Sequence, residues 1–172
     1  MHKPKLWVGT LVALLLLARS FGAQALAADA KAQITELEHK CITPLVAGPL
    51  DEAMECFDTT DADLVVYDIF TPREYDGPAA VRRFFKNYFD NGGYKDVKMS
   101  FVYLRVVADR KLGIAYSTQH FTAIDKNGKA VEGFPRVVDV WRLRNGSWKM
   151  ILQMASLPVD PVTFKADLLS KP

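Results

Sequence analysis

The spacing of apolar positions changes character several times along this 172-residue chain. Leu6 to Ala18 is an almost unbroken apolar run. From there Ile34, Leu37 and Cys41 recur at helical spacing with Lys31, Glu36, Glu38 and Lys40 between them, which predicts a helix over about 30–43, ended by Pro44 and Gly48-Pro49. Leu50, Ala53, Met54 and Phe57 form a second helical stripe. Pro49 suits its first turn, and Asp51 and Glu52 favour that N-terminus. Leu64 to Phe70 reads as a strand, and a loop with Pro72, Arg73 and Tyr75 follows. A third helix opens at Gly77-Pro78, carries Val81, Phe84, Phe85 and Tyr88 on one side, and stops at Asn91-Gly92-Gly93.

Beyond that point the period drops to two. Strands are predicted over 94–108, 113–125, 132–144 and 147–157, separated by turn sequences such as Asp125-Lys126-Asn127-Gly128 and Asn145-Gly146. Gly133 and Pro135 predict a bulge or bend at the head of the third strand. A tail with Pro158, Pro161 and a short segment over 162–169 closes the chain. Helices followed by a meander of long strands imply an α+β architecture, with about three helices packed on one face of a curved antiparallel sheet. No repeat or linker marks a second domain.

The apolar start changes the picture of the ends. Lys3 and Lys5 precede a core too short for a comfortable membrane span, and Ala25-Leu26-Ala27 places small residues where a signal peptidase reads. Cleavage is expected after Ala27, with Ala28 and Ala30 as near alternatives. The expected product is a single domain over 28–172, periplasmic or secreted, with no stable membrane span. Losing Lys3, Lys5 and Arg19 moves the formal charge from +2 to −1. Nothing in the mature charge balance or in any basic run then points to nucleic acid. Cys41 and Cys56 both remain. In an oxidising compartment an even count permits a bridge, and two separately buried thiols are the alternative. No Cys/His cluster has metal-ligand spacing, and neither a metal nor another cofactor is expected.

The candidate chemistry centres on Asp139, in Val137-Val138-Asp139-Val140-Trp141-Arg142-Leu143. Strand alternation puts it on the apolar face with Val137, Trp141 and Leu143. A carboxylate there needs a partner or a proton, so Asp139 belongs either to a buried polar network or to a site. Asp68, at a strand end, is either a turn former or a second acid of that site. His120 is read in two registers, turned inward with Thr118 and Thr122 or outward on the sheet surface.

Four segments together resemble a known family: Val65-Val66-Tyr67-Asp68, the stretch from Tyr75 to Phe85, Val137 to Leu143, and Trp148 to Ser156. Their order resembles the SnoaL-like and ketosteroid-isomerase-like branch of the nuclear-transport-factor-2-like superfamily, over about 34–160. The resemblance implies a cone-shaped fold around an apolar pocket. It matches Asp68 to a proton shuttle and Asp139 to a protonated acid that holds a ligand oxygen. The position of a ligand-holding tyrosine falls near Cys41, and that of a supporting tyrosine is Phe85.

The predicted pocket is lined by Asp68, Phe84, Phe85, Val137, Asp139, Trp141, Leu152 and Met154, with His120 added in its inward register. Two function classes follow. One is acid–base chemistry, of isomerase or lyase type, on a small apolar carbonyl compound. The other is a non-catalytic ligand-binding or dimerising module. Apolar residues on both faces of the long strands, Val138, Val140 and Ile151 among them, imply a homodimer through the outer face.

Overall fold

The computed structural model describes residues 8–70, 72 and 74–170, with side chains from Ala27 onward. Lys3 and Lys5 of the expected export segment, and Arg73 of the loop, lie outside the described residues. Helix α1 spans Val8–Ala47. It passes through Pro44, which was expected to end it. A proline in the last turn forfeits only its own N–H bond, while its carbonyl still accepts from Gly48 N at 3.0 Å. Gly48, at φ +72°, then supplies the left-handed residue that closes the helix. Among the described residues no helix is long and apolar enough to cross a membrane. Helix α2 is Leu50–Glu55, with Pro49 at its N-cap.

Strand β1 is only Val65–Tyr67. The expected longer strand stops because Asp68 Oδ1 takes the N–H of Phe70 at 3.1 Å, a local turn that competes with sheet pairing. A two-residue β2, Tyr75–Asp76, pairs back on β1, and α3 runs over Pro78–Asn91. Then come β3 (Lys95–Ala108), β4 (Leu112–Ile124), β5 (Ala130–Gly133), β6 (Arg136–Arg144) and β7 (Ser147–Ser156). The single strand expected over 132–144 is thus two, broken at Phe134-Pro135, where the proline has no N–H for the ladder. Both pieces pair with β4.

The sheet order is β2-β1-β7-β6-β4-β3, with β5 beside β4; β1 runs parallel to β7 and every other pair is antiparallel. Register shifts in β3–β4, between Phe101 and Tyr103, and in β6–β7, between Val140 and Trp141, are bulges that curl the sheet around its inner face. The chain therefore forms the α+β fold that the order of its elements implied, with the cone shape that the resemblance implied.

Ile34, Leu64, Val66, Val81, Phe85, Trp141 and Met150 fill the core between sheet and helices. Helix α1 sits close because β4 carries Gly113 opposite Ile34; a Cβ there would lie 2.2 Å from Ile34 Cδ1. The side chains of Cys41 and Cys56 are joined in a disulfide that ties α1 to the residue after α2.

Candidate functional site

A cavity of about 360 Å³ opens between the inner sheet face, α1 and α3. That volume lies within the range of small-molecule sites, about 300–1,000 Å³. Its α3 wall is Phe84, Phe85 and Tyr88; its α1 wall is Ile42, Leu45 and Val46; its sheet wall includes Met99, Phe101, Phe121 and Val137. Exposed residues Ile69, Phe70 and Leu168 mark the rim. Leu168 comes from the tail, which is held by a bond from Phe134 N to Leu168 O at 3.0 Å.

The deepest polar groups are two carboxyls. Asp139 is 2% exposed and Glu38 4%. Helical spacing explains Glu38: Ile34, Glu38 and Ile42 are four residues apart, so the face of α1 that Ile34 presses onto Gly113 carries Glu38 to the floor and Ile42 to the wall. Trp141 Nε1 donates to Glu38 Oε1 at 2.6 Å, and Gln153 Nε2 donates to Asp139 Oδ1 at 3.1 Å. The two carboxyls are also hydrogen-bonded to each other. Burial pushes Glu38 up to about 7, against the lowering effect of its bonds to Trp141 and Asp139. Burial, and next the charge of Glu38, push Asp139 well above the usual carboxylate range. The pair thus holds a proton between its carboxyls near neutral pH, with Asp139 donating to Glu38.

Asp68 lies nearer the rim. Burial raises it, opposed by the N–H groups of Phe70 and Ile69. Its charge acts on two phenols: Tyr88 is pushed up to about 12 by burial and then by Asp68, and Tyr75 is raised by the same two causes.

Of the residues expected to line the pocket, Asp68, Phe84, Phe85, Val137 and Asp139 do so. Four do not. Trp141 points inward but is fully buried beneath the floor and acts through Glu38. Leu152 and Met154 fall on the outer face. The bulge that sets Trp141 against Met150 and Val140 against Leu152 inserts one residue into β7, so Gln153 and Ala155 turn inward instead. His120 also faces outward. Val137 opposes Ser117 in the register, which turns Gln119 and Phe121 inward and His120 away. There its Nε2 lies 2.7 Å from Glu132 Oε1, and its ring stacks on Phe134 at 4.9 Å.

Sequence reasoning missed Glu38, Gln153, Tyr88 and Tyr94 as cavity residues. Glu38 left one signal, a charge in register with the apolar stripe of its helix. Gln153 left none, because the β7 bulge is a property of the pairing.

A family profile described as a SnoaL-like domain matches residues 42–151. Similar solved structures include a nuclear-transport-factor-2-like protein of unknown function from Pseudomonas putida, with TM-score 0.74 and 20% identity over 84% of this chain and 98% of that one. A superfamily protein from Salmonella enterica has TM-score 0.68 and 14% identity over 81% and 99%. A type 2 hexachlorocyclohexane dehydrochlorinase has TM-score 0.65 and 11% identity over 83% and 97%. At these identities the structures share the fold. No curated protein matches the sequence.

Proposed function

The chain belongs to the SnoaL-like domain family, and from that premise we propose an exported pocket protein that moves a proton on a small, mostly apolar carbonyl compound. One observation carries the reading: a single apolar cavity holds a buried acid kept protonated and a second acid near the rim. The carbonyl oxygen would sit at the floor and take a hydrogen bond from the Glu38–Asp139 pair. Asp68 would accept a proton from the carbon beside the carbonyl, leaving the electron pair on the oxygen as an enolate held by the floor. Return of that proton from Asp68 to another carbon completes an isomerisation. One fold neighbour bears the name of a dehydrochlorinase, which accords with carbon–hydrogen chemistry in such a cavity.

A non-catalytic binding module is the second reading. The observation favouring it is that Asp139 already bonds to both Gln153 and Glu38.

Deuterium exchange separates the two. With a small β,γ-unsaturated cyclic ketone in heavy water, the wild type is expected to exchange the carbon-bound hydrogen beside the carbonyl, and Asp68→Asn to lose exchange while still binding. Absence of exchange above buffer in the wild type would leave the binding module. The exported protein is expected to begin at Ala28 or within a few residues, which N-terminal sequencing from the native host reads directly; a chain starting at Met1 would contradict export. A homodimer through the outer sheet face belongs to the same proposal, supported by exposed Val107, Leu112, Ile114 and Met154 on that face.

A further inference from the structure

The floor carries an imbalance that proton transfer leaves unexplained. Three acids face the cavity, Glu38 and Asp139 at the floor and Asp68 toward the rim; Glu132, at the β5 edge, turns its carboxylate outward to His120. Among the described lining residues there is no lysine, arginine or histidine. The donors recorded on the floor pair from outside it, Trp141 Nε1 and Gln153 Nε2, are both neutral. His39, the next residue on α1, is exposed and packs edge-on against Phe101. A carboxylate taken out of water requires a countercharge or a proton. In the free protein the retained proton meets that requirement. A ligand carrying positive charge would meet it as well, and the surrounding rings favour such a charge, because aromatic faces attract cations.

We propose that the Glu38–Asp139 floor is a binding site for an organic ammonium group, so that the cavity takes a small amine with its nitrogen on the two carboxyls and its apolar body against Phe84, Phe85, Phe101 and Phe121. The inference rests on reading the cavity as the ligand site and goes beyond it by fixing the ligand's charge. It stands whether or not anything is turned over there. Anionic ligands are excluded, because a carboxylate in this cavity would face acids on α1 and β6 and after β1 with no cation between them.

Amine and carbonyl ligands meet the same floor in different states. A carbonyl oxygen needs the pair's proton, so its binding weakens as pH rises through the titration of Glu38. An ammonium needs the ionised carboxylate, so its binding strengthens over the same interval. The other titratable groups discussed at the cavity do not reverse that sign: Asp68 adds negative charge, and Tyr88 stays neutral across the interval.

Three molecules of nearly equal size test this: phenethylamine, phenethyl alcohol and phenylacetate, titrated into the mature protein by calorimetry, with the Trp141 indole N–H resonance as a reporter of the floor. The expected order at about pH 8 is amine, then alcohol, with phenylacetate not binding. Amine affinity should rise about tenfold between about pH 6 and pH 8. Glu38→Gln should bring the amine down to the level of the alcohol. Equal binding of amine and alcohol in the wild type, phenylacetate binding as well as the amine, or no saturable amine binding at millimolar concentration would each overturn the proposal, and none depends on a variant that folds. Asp68→Asn separates the two proposals, since it should stop exchange at carbon and leave the amine preference intact.

Discussion

Trp141 Nε1 reaches Glu38 Oε1 at 2.6 Å across 103 residues of chain. The bond ties the sheet's central apolar strand to the first helix, and it holds a carboxyl under the cavity beside Asp139. Both acids are raised chiefly because burial disfavours their charged forms, and each is hydrogen-bonded to the other. Stability and the proposed ligand preference and proton transfer all depend on this one arrangement.

Its first consequence is for stability. An acid whose folded pKa lies above its unfolded value binds more protons folded than unfolded between the two values, so stability falls as pH rises through that window. For Glu38 the window runs from 4.5 to about 7. At about 1.4 kcal/mol per unit, the loss is on the order of 3 kcal/mol, with a further contribution of the same sign from Asp139. Thermal unfolding of the mature protein should therefore give its highest midpoint near the lower end of the window and a lower one at neutral pH. Glu38→Gln should flatten that slope. A midpoint that climbs between about pH 5 and pH 7 would contradict the buried pair.

The disulfide offers a separate test. Cys41 and Cys56 close a loop with a sequence separation of 15, for which loop entropy gives about 3 kcal/mol of stabilisation. Reductant should lower the unfolding midpoint, and the protein should show no free thiol under denaturing, non-reducing conditions. Two titratable thiols would contradict the bridge.

A third expectation concerns the outer face. Val107 pairs with Ile114 in the β3–β4 register, and both are strongly exposed. A second copy laid on that face would bury them. Light scattering at micromolar concentration should report twice the monomer mass, and Ile114→Lys should give a folded monomer. A wild-type monomer would contradict this interface.

How far the sequence disclosed these features depends on their range. Elements with a strong local period were legible: the helix carrying Val81, Phe84 and Phe85, and the long strands on either side of Asn145-Gly146. Asp139 was legible as an inward acid because β6 alternates without interruption up to it. Leu152 and Met154 were misplaced because simple alternation from Trp148 and Met150 continues to them, and only the pairing with β6 reveals the extra residue. His120 depended on a register that starts beyond the break at Phe134-Pro135. Glu38 was hidden for a different reason. A charge among Ile34, Leu37 and Cys41 reads as a helix's solvated side until the sheet places Trp141 and Asp139 against it. The part of the site set by contacts between distant segments was therefore the part that local pattern could not supply.

The most direct test of the account is carboxyl titration by NMR in the mature protein, following Glu38, Asp68 and Asp139 individually. The prediction is that Glu38 titrates at about 7, that Asp139 keeps its proton well above the usual range, and that Asp68 is raised above its ordinary value of 3.8. Replacing Trp141 with phenylalanine should move Glu38 further up, since the indole N–H stabilises its charged form. If all three acids instead titrate near the ordinary value of about 4, no proton is held at the floor, and the proton-transfer proposal fails together with the expected rise of amine affinity between about pH 6 and pH 8.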